Sequence, residues 1–392
     1  MPSAATNVSL EGAAEVGSGH YAFSSSLRST RTRTTNSIFL LLAFVAVACR
    51  GLVQGAQVVP SSPPIKQYVD GRPAAPYRLN ATDQGRVLTH GGGPGQCDEL
   101  GAREAIVFQD RRTFYLHYDG AGPTGWLACL ATSKDLVHWA KHGPALELGK
   151  PGQNDAGTAS SPWVYFDGNI WHMFYVGSVG TTPPPQRIPA CPYMTLKATS
   201  SSPAGPWTKQ TNVVPFRLRP NSYYADTASP GQVVHHGHDY LMFFSAASGT
   251  PMKRTLSIAR TRDLNGSWQL DAEPALPLAE QIENSALYFE KNNKTWFLFT
   301  NHVGLDERGE YTDALWVYWS KDINYWDPGN KAVVLDGQNC TWALDCIGMP
   351  SVLPVGKRLA ILYDSPGAKS VSHMRRDIGL AWLDLPLLAP HR

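Results

Sequence analysis

LACLATSKDLVHW (127–139) is an apolar strand that runs into Ser-Lys-Asp-Leu and stops on a tryptophan. The same phrase returns as LKATSSSPAGPW (196–207), SIARTRDLNGSW (257–268) and WVYWSKDINYW (316–326), with a shortened last copy, IGLAWLDLPL (378–387). Each copy follows a strand–turn–aromatic-strand phrase: EAIVFQDRRTFYLHY (104–118), SPWVYFDGNIWHMFY (161–175), SPGQVVHHGHDYLMFF (229–244), NSALYFEKNNKTWFLF (284–299) and MPSVLPVGKRLAILY (349–363). Five units in the same internal order, spaced by about 60 residues, are a repeat architecture. Each unit is a hairpin, a third strand and a turn into a fourth, with an apolar face that only a neighbour can bury. The expected fold is therefore all-β: a five-bladed β-propeller of four-stranded antiparallel blades around a central channel.

Composition agrees. The 392 residues include 12 Trp, 16 Tyr and 13 Phe beside 35 Gly and 30 Pro, which suits short strands joined by tight turns. The 34 Lys+Arg and 32 Asp+Glu leave a net charge of +2, with no basic stripe of the kind nucleic acid requires, so no nucleic-acid partner is expected.

Residues 1–57 read as a leader, 58–96 as a Pro/Gly-rich linker and entry segment, and 97–392 as the propeller. Ile38 to Cys49 is a run of 12 uncharged residues, short of the roughly 20 that span a bilayer. A signal peptide cut near Gly55 or Gln57 follows, and with it a secreted, extracellular or periplasmic protein. The alternative is an uncleaved anchor at 38–49, which would be the sole membrane contact. Cys340 and Cys346 are close enough in sequence to close a small loop, and Cys97, Cys129 and Cys191 permit one further bridge. Sequons stand at Asn80, Asn265, Asn293 and Asn339.

The hairpin followed by SKDLVHW resembles glycoside hydrolase family 43 and its five-bladed relatives, families 32, 62, 117 and 130, over about residues 98–388. The invertase marks WMNDPN, RDP and EC are absent, and Glu104-Ala105 stands where family 43 has Asp-Pro. The resemblance implies an inverting glycosidase acting on an oligo- or polysaccharide with a pentose- or galactose-type bond. It implies no required cofactor, allows a structural calcium in the channel, and points to no other metal. The histidine that family 43 often supplies at blade 5 is not evident at Ile347–Ser351.

Glycoside hydrolysis needs one protonated and one ionised carboxyl at a shared site. Residues just before the inner strands are expected to converge on the axis. By resemblance, Glu283 takes the place of the general acid, Glu104 that of the base with Asp98 in reserve, and Asp226 that of a third carboxylate that orients the pair. Asp155 and Asp345 hold the corresponding places in blades 2 and 5. His302, Arg375, Tyr224 and Trp342 are candidate sugar contacts. The plainer readings are a turn cap for Asp226, an ion pair with Arg103 for Glu104, a repeat-structural role for Asp155, loop packing for His302, a surface basic residue for Arg375, and blade packing for Tyr224 and Trp342. A non-catalytic carbohydrate-binding propeller and a glycoside phosphorylase are the rival functions.

Overall fold

The computed structural model describes residues 58–60 and 68–390; the leader, with its signal or anchor, lies outside them. Blade 1 is built from strands Gly101–Asp110, Thr113–Gly122, Gly125–Ser133 and Trp139–Pro144, and blade 2 from Thr158–Phe166, Trp171–Ser178, Met194–Ser200 and Thr208–Lys209. Blade 3 has a divided inner strand, Thr227–Ser229 and Val233–His236, followed by Asp239–Ser248, Lys253–Thr261 and Gln269–Leu270. Blade 4 comprises Ile282–Glu290, Thr295–Asp306, Gly309–Ser320 and Lys331–Asp336. Blade 5 takes three strands, Gly348–Val355, Arg358–Ser365 and Asp377–Asp384, from the C-terminal side. Among the described residues, two single 3₁₀ turns are the only helical elements.

The missing outer strand of blade 5 comes from the other end of the chain. Thr82–Leu88 pairs antiparallel with Asp377–Asp384, Thr82 opposite Trp382 and Leu88 opposite Ile378. The expected linker is therefore partly blade, and the propeller begins well before residue 97. Tyr77–Leu79 adds to the outer edge of blade 4 in parallel, with Val58–Pro60 beyond it. The polar, alternately exposed sequence of Thr82–Leu88, TDQGRVL, fits an edge strand with one solvated face.

The repeated turn phrase has a mechanical reason. In blade 1 the Ser133 hydroxyl accepts the Asp135 and Leu136 N–H groups, and the Asp135 carboxylate accepts those of Val137 and His138. Trp139 then donates its indole N–H to the Leu136 carbonyl at 2.9 Å. Blade 4 repeats the device with one bond at each step: Ser320 accepts the Asp322 N–H, Asp322 accepts the Asn324 N–H, and the Trp326 indole reaches the Ile323 carbonyl at 3.0 Å. Short polar side chains thus supply the backbone partners a turn needs, and the indole fastens the outer strand.

The hydrophobic core lies between the blades. Leu116 and Tyr118 of blade 1 pack with Leu362 and Leu380 of blade 5; Phe299 and Val317 of blade 4 pack with Ile361 and Tyr363 of blade 5. Phe174 of blade 2 meets Trp268 and Phe244 of blade 3. Along the axis, the inner strands of blades 1, 2 and 4 bring Ile106, Trp163 and Ala286 together, with Val352 of blade 5 against them.

A second repeat is polar and buried. Before each of three inner strands a carboxylate receives a tyrosine hydroxyl and an outer-strand lysine: Asp98 with Tyr118 and Lys141, Asp155 with Tyr175 and Lys209, Glu280 with Tyr318 and Lys331. Glu280 and Lys331 lie 2.5 Å apart and are 4% and 3% exposed. Replacing Glu280 by alanine strands a buried ammonium, and should lower the unfolding free energy by about 3 kcal/mol or more. The double replacement Glu280→Leu/Lys331→Met should recover part of that loss; chemical denaturation measures both.

Candidate active-site cleft

The inner strands do not converge at their starts. Each carries a bulge a few residues inside, and it is the bulges that face the axis. Register slips between Arg103 and Ile106, Ser160 and Trp163, Ile282 and Ser285, and Gly348 and Ser351. In blade 3, Pro230–Gln232 interrupts the strand, and Gly231 there passes so close to the Phe243 carbonyl that a β-carbon would sit 1.6 Å from its oxygen. Glu104, Ser161 and Met349 are held at positive φ of 47°, 48° and 57°. Non-glycine residues adopt this conformation at a cost of about 1–3 kcal/mol, and do so where surroundings enforce it.

The enforcement comes from the second strand of the preceding blade. Asp364 of blade 5 accepts the Glu104 N–H at 2.8 Å, Asp119 of blade 1 accepts the Ser161 N–H, and the Asn301 side-chain oxygen of blade 4 accepts the Met349 N–H at 3.3 Å. Arg376, itself buried, clamps Asp364 at 2.5 Å.

The bulges open into a cleft of about 340 Å³ lined by Glu104, Ser161, Ser229, Glu283, Asn284 and Met349. Asp119, Arg103, Arg254, Glu310, His373 and Arg376 complete its polar wall, and Trp126, Ile188 and Tyr193 its apolar side. The Ser161 hydroxyl donates to Glu104 at 2.6 Å and stands 3.4 Å from Asp119. Burial is the main reason both carboxyls titrate above the usual range; the Glu104 charge pushes Asp119 further, well above it, while Arg103 and the Ser161 hydroxyl pull Glu104 back. The two cannot both ionise cheaply. Asp119, 2% exposed, is raised the further of the two. Glu283 lies 3.4 Å from Arg254 and 3.4 Å from the Asn301 amide, and its charge is felt at Glu104.

Of the expected catalytic carboxylates, Glu104 and Glu283 line the cleft. Asp226 falls before the break in its strand and accepts the Gly249 N–H at 2.9 Å, so it caps a turn. Asp98 and Asp155 are held by their tyrosine and lysine partners, and Asp345 by Arg308 at 2.9 Å. His302 turns into blade 4, stacks on Trp316 with 4.1 Å between ring centroids and bonds Tyr318 at 3.0 Å; burial and the Lys331 and Arg72 charges keep it neutral. Arg375 is exposed, and its neighbour Arg376 is the residue that reaches the cleft. Tyr224 packs edge-on against Tyr223 and Phe244, and Trp342 donates to Tyr363 at 2.7 Å; both are blade packing.

Sequence reasoning missed Asp119, Arg254, Glu310 and Asp364. None stands next to an inner strand's start, and Asp119 and Asp364 are read only through the bulges they hold. The bridge between cysteines is Cys97–Cys129, whereas Cys340 and Cys346 are separate buried thiols, against Tyr363 and Arg376 respectively. Asn80 and Asn265 are exposed, but the amides of Asn293 and Asn339 are engaged with backbone carbonyls.

No group of three or more His, Cys, Asp or Glu among the described residues could hold a metal. Calcium takes about six to eight oxygen ligands, backbone carbonyls and waters among them. Asp364 is taken by Arg376 and a backbone N–H, and Asn284 directs its amide at the Met349 sulfur.

The family model for the Glycosyl hydrolases family 32 N-terminal domain matches residues 111–288. No curated protein sequence matches the chain. Among solved structures, the catalytic domain of a family 62 α-L-arabinofuranosidase from Coprinopsis cinerea is 14% identical with a TM-score of 0.56, over 78% of this chain and 96% of that one. A family 117 glycoside hydrolase from the marine bacterium Zobellia galactanivorans is 14% identical with a TM-score of 0.54, over 78% and 91%. An endo-arabinase from Bacteroides thetaiotaomicron is 15% identical with a TM-score of 0.53, over 74% and 96%. At such identities the structural likeness is one of fold. Over residues 111–288 the chain is thus similar to the family 32 propeller domain, and its fold is the five-bladed β-propeller that glycoside hydrolases of families 43, 62 and 117 also adopt.

Proposed function

We propose that the cleft hydrolyses a glycosidic bond with Glu104 as general base and Glu283 as general acid, releasing a sugar of inverted configuration. One observation carries this reading: Glu104 and Glu283 are the only carboxylates on the axis-facing bulges among the described residues, and both line one cleft. With the shared proton on Asp119, Glu104 carries the charge that activates a water, and Arg103 favours that charge. Asp119 thereby takes the tuning role that the resemblance gave to Asp226. Glu283 protonates the departing oxygen, a task for which general acid catalysis is worth roughly 10²–10⁴ in rate.

Glu283→Gln should cut turnover of unactivated glycosides by about 10³-fold while sparing aryl glycosides with good leaving groups, because those need no proton. Glu104→Gln should abolish both. Product anomers followed by proton NMR report inversion. Full activity of either variant on an unactivated substrate refutes the assignment, and sugar binding without any hydrolysis by the wild type favours the carbohydrate-binding alternative.

Asp119 also makes a prediction about stability. Its pKa is higher folded than unfolded, so its contribution is fully present below the unfolded value and is lost as pH rises through the folded one. Wild type should therefore lose more thermal stability than Asp119→Asn between about pH 4 and about pH 8. Parallel melting curves over that range check the sign.

A further inference from the structure

Three arginines line the cleft, and two are spoken for. Arg376 is bound to Asp364 at 2.5 Å, to the Ser372 carbonyl at 3.0 Å and to the Cys346 sulfur at 2.9 Å. Arg254 lies 2.7 Å from Glu310 and 3.4 Å from Glu283. Arg103 differs. It is 6% exposed, yet no carboxylate of the described residues comes within ion-pair distance of it. Its one hydrogen bond runs from the terminal guanidinium to His373 Nδ1 at 3.5 Å, and its Nε–H has no partner. His373 cannot balance the charge: burial, with Arg103, Arg376 and Arg254 nearby, lowers its pKa to about 3, leaving a neutral ring.

A buried guanidinium with no direct ion pair, balanced only at a distance by Glu104 and Asp119, is costly to keep, and its planar fork matches a carboxylate or a sulfate in two parallel bonds. Arg103 is also kept in plane: it lies 5.1 Å over the Trp126 ring, whose indole N–H is anchored on the Gln186 carbonyl of the blade 2 insertion. Trp126 and His373 line the cleft beside it, on the wall that holds Glu104. We propose that Arg103, backed by Trp126 and His373, receives an anionic group of the sugar, so that the substrate is an acidic glycoside: a uronate, or a sugar bearing a sulfate ester. This deepens the glycosidase reading and rests on it.

The test uses the full-length enzyme and matched pairs: aryl galacturonides and galactosides, aryl glucuronides and glucosides, and a sulfated oligosaccharide with its desulfated form. Wild type should favour the acidic member, and Arg103→Met should reduce the acidic-to-neutral ratio of kcat/KM by about 10–100-fold, the weight of a charge-assisted hydrogen bond, mainly through KM. Arg103→Lys, which keeps the charge without the fork, should recover part of the ratio and shows that loss is not misfolding. The uronate and sulfate arms separate the two sources of negative charge. Hydrolysis confined to neutral sugars, or an equal loss on both members, overturns the proposal and leaves the glycosidase reading standing; an equal loss would mean that Arg103 only balances Glu104. Calorimetry with galacturonate, glucuronate and the sulfated oligosaccharide separates the other failure. Binding that Arg103→Met abolishes, without hydrolysis of any pair, upholds the anionic subsite and overturns the enzyme. Neither binding nor hydrolysis overturns both.

Discussion

Three of the bulges at the mouth of this propeller depend on one hydrogen bond passed from blade to blade. A polar side chain on the second strand of one blade accepts the N–H of the bulge on the next: Asp364 to Glu104, Asp119 to Ser161, Asn301 to Met349. Without it, a non-glycine residue has no reason to remain at positive φ, and the side chain it carries would fall back into the alternation of the strand. With it, the bulge is held and its side chain is turned toward the axis. The donor is a backbone group, so the device tolerates any side chain at the bulge. Glutamate, serine and methionine all occupy it.

The acceptors have a chemical consequence beyond geometry. Asp119 and Asp364 are buried carboxylates placed beside the bulge that bears Glu104, and they differ in their partners. Arg376 neutralises Asp364 at 2.5 Å, whereas Asp119 receives only Ser161. A structural carboxylate without a cation becomes a proton store, because desolvation and a neighbouring like charge both oppose its ionisation. Under the proposed mechanism, fold stabilisation and acid–base tuning share one side chain. The same contrast separates the buried triads: Asp98, Asp155 and Glu280 each have a lysine and a tyrosine, which leaves them no chemistry to perform.

What could be read from the sequence is what local chemistry dictates. The Ser-Lys-Asp-Leu-x-x-Trp phrase satisfies its own backbone within seven residues, so its recurrence announced the blades and their number directly. Thr82–Leu88 escaped because its partner is nearly 300 residues away and its polar alternation resembles a loop. The site was half legible for a related reason. Spacing put Glu104 and Glu283 near inner strands, but it could not show that the axis is met at a bulge rather than at a strand's start. That offset of a few residues is the whole difference between Glu283 in the cleft and Asp226 capping a turn. Asp119 and Arg254 lie inside or at the start of strands, where pattern alone reads them as ordinary positions.

Fold and site are therefore written in different residues. The matched segment, 111–288, contains turn phrases and hairpins of blades 1 to 3; it begins after Glu104 and ends five residues past Glu283. Blade packing is served by aromatics and aliphatics between the sheets, which differ freely as long as volume is kept, and identities of 13–15% with solved propellers are compatible with that freedom. The cleft obeys a stricter rule, since each buried charge must find a partner of opposite sign or give up its proton. Arg376 and Arg254 have their carboxylates, Glu104 and Asp119 share a hydrogen-bonding serine and are both raised in pKa, and His373 is neutral. Arg103 alone among the cleft's arginines has no carboxylate in direct contact among the described residues, and faces Glu104 and Asp119 only at a distance.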